Sequence, residues 1–151
     1  GVRQAESVVP TTEAREFFQN EGVMASRLLL TDGLPVDVRF EYPRAWTPLA
    51  DAVSARDMRT GDGAYVLVAA QATVDEASAK IFAADGKYGS YGAPSEVRRL
   101  DRRRDADSIM GGLVEEYTFD ALTPSLREVP RRVLVRAVPF GSDVVMLVAG
   151  S

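Results

Sequence analysis

The sequence contains no histidine and no cysteine. Without cysteine, the chain has no disulfide, no thiolate nucleophile and no cysteine ligands for zinc or iron–sulfur clusters. Without histidine, it lacks the commonest general base near neutral pH, the Ser-His-Asp triad and histidine ligands for transition metals or haem. These absences exclude most familiar enzyme chemistry. We therefore expect a non-catalytic protein with no cofactor and no metal site.

Lysine is scarce, because Lys80 and Lys87 are the only two and arginine supplies the other cations. The 18 basic residues face 22 acidic ones, which gives a net charge of −4 and argues against nucleic-acid binding. No apolar run approaches the roughly 20 residues that a membrane-spanning helix needs. Because the chain begins with Gly1 rather than Met, we expect a processed or trimmed product.

The length of 151 residues and the 46% hydrophobic content predict one domain with its own core. Gly1–Pro10 has the mixed composition of a loose arm. Thr11–Gly22 is typical of a short helix, with a threonine cap, early acidic residues and a closing glycine. We therefore divide the chain into an arm and helix over residues 1–22 and a domain over residues 23–151.

A hairpin is the clearest local pattern in the chain. Ser26–Thr31 has strand composition, Asp32–Pro35 has turn composition, and Val36–Tyr42 alternates strictly. The apolar residues of the second strand share one face and its charged residues share the other. The buried set is Val36, Val38, Phe40 and Tyr42, and the opposite set is Asp37, Arg39 and Glu41.

Four further segments have strand composition, and they alternate with segments of helical or loop character. The predicted strands are Ala64–Ala70, Leu113–Phe119, Arg132–Val138 and Val144–Ala149. The predicted helices are Asp75–Ala84 and one that begins near Pro94. Six strands joined mostly by hairpins, with helices between them, predict an α+β fold in which helices sandwich an antiparallel sheet.

The arginine-rich run over residues 98–105 is the strongest local charge cluster. Its arginines could dock an acidic partner through bidentate contacts with carboxylates, or form a solvated helix face neutralised by Asp101, Asp105 and Asp107. The Gly86–Gly92 loop has neither the spacing nor the strand–loop–helix context of a phosphate-binding loop, so we interpret it as a mobile loop whose Tyr88 and Tyr91 suit a partner interface. The predicted partner-binding residues are Arg98, Arg99, Arg102, Arg103, Arg104, Tyr88 and Tyr91.

Acidic pairs offer the remaining candidate chemistry. Asp105 and Asp107, or Glu115 and Glu116, could supply oxygen ligands to a divalent cation, but neither pair lies in an EF-hand spacing. Neighbouring residues on a strand also point to opposite faces, so Glu115 and Glu116 cannot chelate one ion together. Paired carboxylates of a hydrolase would need a spatial pairing that sequence cannot show. We expect Trp46, the single tryptophan, to close one end of the core.

Four segments, in order, resemble the PsbP family of extrinsic proteins of the thylakoid lumen. Val38–Trp46 is similar to an early strand that ends in proline and tryptophan. Gly92–Val97 is similar to a Gly-Ser-Pro-Glu-Glu-Val segment before a helix. Gly112–Phe119 is similar to a strand with a glutamate-tyrosine pair, and Arg131–Ala149 is similar to a late hairpin.

This resemblance implies an antiparallel sheet sandwiched by helices, without an active site. It implies a chloroplast protein, peripheral to the thylakoid membrane on its lumenal side. Family members help photosystem II, with its oxygen-evolving complex, to retain calcium and chloride, and relatives act in assembly of photosystems or with the NDH complex. This chain lacks the family's lysine-rich docking surfaces, and the sequence ends at Ser151 without the family's C-terminal helix. We therefore expect either that the sequence is trimmed or that the helix near Thr12–Asn20 or a partner covers that sheet face.

The leading hypothesis from sequence is a lumenal extrinsic subunit or assembly factor that binds a photosystem complex, photosystem II first, stabilises it and aids ion retention. The alternative is a carrier that holds a small ligand or lipid in a cavity between the sheet and its helices.

Overall fold

Strands dominate the structure. The computed structural model describes residues 3–4, 22–49, 53–89, 91–106 and 111–151. Its ten strands are β1 (Arg3–Gln4), β2 (Val23–Leu29), β3 (Pro35–Glu41), β4 (Thr47–Leu49), β5 (Ser54–Arg56), β6 (Gly63–Ala69), β7 (Ser95–Arg104), β8 (Leu113–Leu122), β9 (Glu128–Phe140) and β10 (Asp143–Gly150).

The predicted α+β fold with helical layers is wrong for this part of the chain. Its described residues contain no α-helix, and their one helical element is a five-residue 3₁₀ helix, Ala77–Ile81. This element replaces the helix predicted over Asp75–Ala84. The helix predicted to begin near Pro94 is strand β7 instead.

The six predicted strands are confirmed at their predicted places. They correspond to β2, β3, β6, β8, β9 and β10. Each observed strand extends past its predicted range at one end or at both. Alternation in the β2–β3 hairpin also gave the correct buried face, because Val36, Val38, Phe40 and Tyr42 are all buried. Asp37 departs from the pattern: it is only 2% exposed, and it pairs with Arg27 on β2 at 2.7 Å.

The larger sheet has seven strands in the order β4-β5-β6-β10-β9-β8-β7. All its neighbours are antiparallel, and β6, β10, β9 and β8 form its centre. The β9–β10 connection is a tight turn at Gly141 and Ser142. Strand β7 forms one edge of this sheet, and it pairs only with β8 within the described residues.

The smaller sheet has the order β1-β3-β2, in which β1 runs parallel to β3 and β2 runs antiparallel to it. Its buried face packs on the larger sheet at β5, β6, β10 and the end of β9. The contacts form two neighbouring clusters. One joins Leu30, Val36 and Val38 to Val138, Phe140 and Val145, and the other joins Met24, Phe40 and Tyr42 to Ala55 and Ala64.

The two faces of the larger sheet have different coverings. We call the face that carries Tyr117, Val135 and Met146 face A, and the segment around the 3₁₀ helix packs on it through Ala77 and Ile81. Face B, on which the smaller sheet packs, is only partly covered, since Leu134 of β9 is 46% exposed there.

The predicted N-terminal arm and helix lie outside the described residues, apart from β1 and Gly22. The division at residue 22 therefore stays a prediction. No helix in the described ranges is long and apolar enough to span a membrane.

Candidate functional site

The five predicted arginines lie on β7 and divide between the two faces of the sheet. Cross-strand register places Arg99, Arg102 and Arg104 opposite Tyr117, Glu115 and Leu113, on face A. Arg98 and Arg103 lie opposite Thr118 and Val114, on face B. The structure therefore replaces the expected single arginine face with an edge that carries cations on both sides.

Two of these arginines have structural partners on face A. The Arg102 guanidinium forms an ion pair with Asp75, which fastens the segment before the 3₁₀ helix to the sheet edge. Arg99 Nη1 lies 3.9 Å from Oε2 of Glu115, whose side chain is only 1% exposed. A buried carboxylate needs nearby positive charge or hydrogen bonds, so Arg99 has a structural role beside Glu115. Arg102 is joined instead to a carboxylate that is 71% exposed.

The other three arginines face solvent. Arg98 lies 3.8 Å from Glu96, and the two side chains are 75% and 70% exposed. Arg103 pairs with Asp101 on its own strand, and both side chains are about half exposed. Arg104, at the end of β7, is also exposed. Exposed ion pairs contribute little to stability, so these cations can exchange their partners at low cost.

Two irregularities interrupt the pairing of β7. The register shifts between Ser95 and Arg98 and again between Arg99 and Asp101. Glu96 has a φ of 55°, which is uncommon for a residue other than glycine. From Asp101 to Arg104 the pairing is regular, so this half of β7 has the geometry of an ordinary edge strand.

Tyr88 and Tyr91 do not join the arginines. The Tyr88 ring packs into the core of face A, 4.8 Å from the Phe119 ring centroid and 6.4 Å from that of Tyr65. Burial is the main cause that raises the pKa of Tyr88. Tyr91 is 49% exposed beside the end of β8. The structure therefore does not bring the two tyrosines together with the exposed arginines, and the partner-binding role of all seven residues stays a prediction.

The loop that carries Tyr88 is tightly wound. A Cβ atom on Gly86 would lie 2.3 Å from the carbonyl oxygen of Lys80, and one on Gly89 would lie 2.2 Å from that of Ala84. Only glycine allows such close approach of two backbone segments. The two glycines therefore place Tyr88 against the sheet, which is a positioning role that the sequence interpretation did not include.

A buried polar network on face A was also missed. The Tyr117 hydroxyl donates a hydrogen bond of 2.6 Å to Oε2 of Glu115, and it lies 2.8 Å from the Ser78 hydroxyl. Glu115 is completely buried, and its Oε1 has no hydrogen-bond partner. Burial, followed by the bond to Glu115, raises the pKa of Tyr117. The sequence clue is the spacing of two on one strand, which puts both side chains on one face.

Three cations that the sequence interpretation passed over meet elsewhere on face A. Arg56, Lys87 and Arg131 come from β5, the glycine loop and β9, and they line one cavity together with Tyr65 and Tyr88. No local pattern could have shown this group, because its members are more than 30 residues apart. We call these five residues the cationic pocket.

Of the acidic residues considered as metal ligands, Asp107 lies outside the described residues, and the others are occupied or point to different faces. Asp105 forms an ion pair of 2.7 Å with Arg136. Glu116 pairs with Arg132 on face B, whereas Glu115 points to face A. Within the described ranges, no group of three acidic side chains is placed to hold a metal ion. Trp46 packs against the cluster around Met24 and Phe40, which confirms its expected place at the core.

No protein-family model matches this sequence, and no curated protein matches it. The resemblance to the PsbP family therefore stays a prediction from the four segments that carry it.

Proposed function

We propose that this is a non-catalytic binding protein that accepts an acidic, extended segment of a partner protein along the edge of β7. The observation that carries the proposal is the position of this strand: ten residues long, exposed and without a neighbour on its outer side within the described residues. An exposed edge offers backbone N–H and C=O groups to a further strand.

The charge of β7 favours an acidic segment. The strand carries five arginines against Glu96 and Asp101 as its only acidic residues. Arg98 and Arg103 are exposed on face B, and an added strand would place alternate side chains beside both of them, whereas the exposed Arg104 lies on face A. Guanidinium groups bind carboxylates in a bidentate geometry, which would add specificity to the backbone hydrogen bonds.

A synthetic peptide tests this proposal. We would use a labelled ten-residue peptide of alternating glutamate and valine, with an otherwise identical lysine peptide as control. We expect only the glutamate peptide to bind, with weaker binding at high salt. Replacing Arg98, Arg103 and Arg104 together by glutamate should weaken binding about tenfold or more, since the two cations on face B and the one on face A all become repulsive to an acidic strand.

Two controls separate strand pairing from simple charge attraction. Arg59→Glu removes an exposed arginine on another loop and should leave peptide binding nearly unchanged. A glutamate peptide with methylated amides at alternate positions keeps its charge but loses the hydrogen bonds of one edge, so it should not bind. Equal binding of methylated and unmethylated peptides would contradict pairing at β7.

A photosystem complex with acidic lumenal loops is the partner that the sequence resemblance suggests, and we keep it as a proposal. It is supported by the order of six strands, but no longer by helical layers. Co-sedimentation with thylakoid membranes, comparing the native chain with the triple glutamate variant, tests it. Equal sedimentation of the two would contradict docking through β7, and absence of the protein from a thylakoid lumen would contradict the photosystem assignment alone.

The carrier hypothesis also stays a prediction. Face A beneath the 3₁₀ helix is filled by Ile81, Phe82 and Tyr88. Native mass spectrometry of the purified protein, with a retained ligand as the positive result, would distinguish a carrier from a strand-binding protein.

A further inference from the structure

Among the described residues, the cationic pocket brings three positive charges together without a carboxylate. Arg56, Lys87 and Arg131 line a cavity of about 110 Å³ on face A. No acidic side chain of the described residues lies within ion-pair distance of any of them. Burial first, and then the charges of Arg56 and Arg131, lower the pKa of Lys87. The three cations therefore affect one another, and their repulsion is a cost to the empty site.

Two tyrosine rings hold the cations in place. Lys87 Nζ lies 5.2 Å from the centroid of the Tyr65 ring, and the Arg131 guanidinium carbon lies 5.9 Å from that of Tyr88. These are cation–π distances. One Arg131 Nη also donates a hydrogen bond of 3.4 Å to the carbonyl of Gly61. Lys87 and Arg131 are thus positioned before any ligand arrives, whereas Arg56 is exposed.

Polar atoms at the cavity lack hydrogen bonds. Tyr65 is only 8% exposed, and its buried hydroxyl makes no hydrogen bond, although the Tyr88 hydroxyl lies nearby; burial first, and then Tyr88, raise the pKa of Tyr65. The Arg131 Nε is buried without a hydrogen-bond partner as well. Buried polar groups are normally satisfied, so these two groups, on residues that line the cavity, leave room for an acceptor from a ligand or from water.

We propose that the cationic pocket binds a phosphate-type oxyanion. A phosphate group carries between one and two negative charges at neutral pH and several acceptor oxygens, whereas a carboxylate carries one charge and two oxygens. Two guanidinium groups, one ammonium group and one unsatisfied hydroxyl match the oxyanion with the larger charge. This site is separate from β7, and neither proposal depends on the other.

A neighbouring groove suggests how the source of the phosphate can be distinguished. The groove shares Arg56, Lys87, Tyr88 and Arg131 with the cavity, and its other wall includes Tyr91, Leu122, Pro124 and Val129. A phosphate ester with an apolar group could occupy both spaces. Free phosphate would use only the cavity.

Calorimetric titration at constant ionic strength, with inorganic phosphate and phenyl phosphate as probes, tests the site. We expect saturable binding of phosphate that sodium chloride does not reproduce. Tighter binding of phenyl phosphate would identify an ester as the preferred ligand, and equal binding would identify the free anion. Absence of saturable binding for both probes would overturn the proposal.

Variants of the pocket locate the binding. Lys87→Gln and Arg56→Gln should each weaken phosphate binding about tenfold, since a hydrogen bond to a charged group is lost. Arg56→Gln should also raise the thermal midpoint of the ligand-free protein, because it relieves repulsion among the three cations, whereas Lys87→Gln also loses the contact with the Tyr65 ring. Arg59→Gln makes the same change in net charge at an exposed site and should do neither. If Arg59→Gln weakened phosphate binding as much as Lys87→Gln did, general charge attraction would replace the proposed site.

Discussion

The hydroxyl of Tyr117 is the hydrogen-bond donor to the buried carboxylate of Glu115, two residues earlier on β8. The proton of the Tyr117 hydroxyl points to Glu115. The Tyr117 oxygen therefore accepts a hydrogen bond from the hydroxyl of Ser78, which belongs to the 3₁₀ helix that packs on face A. The network therefore fastens the 3₁₀ helix to the sheet from inside the core.

Tyr117→Phe should destabilise the protein by about 2–3 kcal/mol, because it leaves a buried carboxylate without any hydrogen bond. Urea unfolding measures the change. Tyr65→Phe is the matched control: it removes a buried hydroxyl that makes no hydrogen bond, so we expect it to be neutral or slightly stabilising. Equal losses in the two variants would contradict the importance of the Glu115 bond.

Asp143→Ala should cost about 3 kcal/mol of unfolding free energy. This carboxylate is 2% exposed and accepts hydrogen bonds from the backbone N–H and hydroxyl of Thr31 and from the backbone N–H of Gln71. Removal of this carboxylate leaves the donors of Thr31 and Gln71, which belong to two separate turns, without their acceptor.

Asp85→Ala provides the comparison for Asp143, since it removes an exposed carboxylate and should change the stability by less than about 0.5 kcal/mol. Denaturant titration of both variants, at neutral pH, measures the difference. A similar stability for Asp143→Ala and the native chain would mean that water replaces those hydrogen bonds without cost.

Phe140→Ala should destabilise the protein by about 3–5 kcal/mol, since Phe140 is 1% exposed between the two sheets. Leu134→Ala, on the same strand and the same face, should cost far less because Leu134 is 46% exposed. Thermal unfolding of the two variants measures how far the smaller sheet covers face B. Equal costs would mean that this face is covered along its whole length.

Stability should fall steeply as the pH rises above about 10, the ordinary pKa of tyrosine. Burial raises the pKa of Tyr42, Tyr65, Tyr88 and Tyr117 in the folded state. The unfolded chain therefore releases these protons first, and the free energy of unfolding decreases with pH. The stability that these four tyrosines contribute is fully present below the pKa of tyrosine in the unfolded chain. It is lost as the pH rises through their pKa values in the folded protein.

Urea unfolding at pH 9 and pH 11 measures this loss. Tyr65→Phe should reduce the difference between the two pH values, since it removes one of the four groups. Tyr91→Phe removes an exposed tyrosine and should leave the difference unchanged. A native-chain stability that is the same at pH 9 and pH 11 would contradict the prediction.

Strands with one buried face could be predicted from sequence, and strands without one could not. Val36, Val38 and Phe40 alternate with charged residues because one side of β3 meets the core. Strand β7 has no such alternation, since nearly every residue in it is exposed and two register shifts break its period. Proline is common in the first turn of a helix, so Pro94 led to the prediction of a helix at this place. Strands β4 and β5 have three residues each, too few to show any period.

The candidate sites show the same limit. The arginines of β7 are adjacent in sequence, so their charge was visible, but their division between two faces depends on a strand that the sequence did not predict. Arg56, Lys87 and Arg131 have no sequence pattern in common. Sheet pairing alone brings β9 near the end of β5, and the close approach at Gly86 and Gly89 brings Lys87 to the same place.

The charge of the β7 edge also restricts how copies of this protein can meet. Each β7 edge carries five arginines against two acidic residues, so two such edges brought together repel one another through their excess positive charge. An edge of this kind resists self-association and aggregation even though its backbone groups are open to pairing. The same residues that would attract an acidic strand thus discourage open-ended stacking of identical chains.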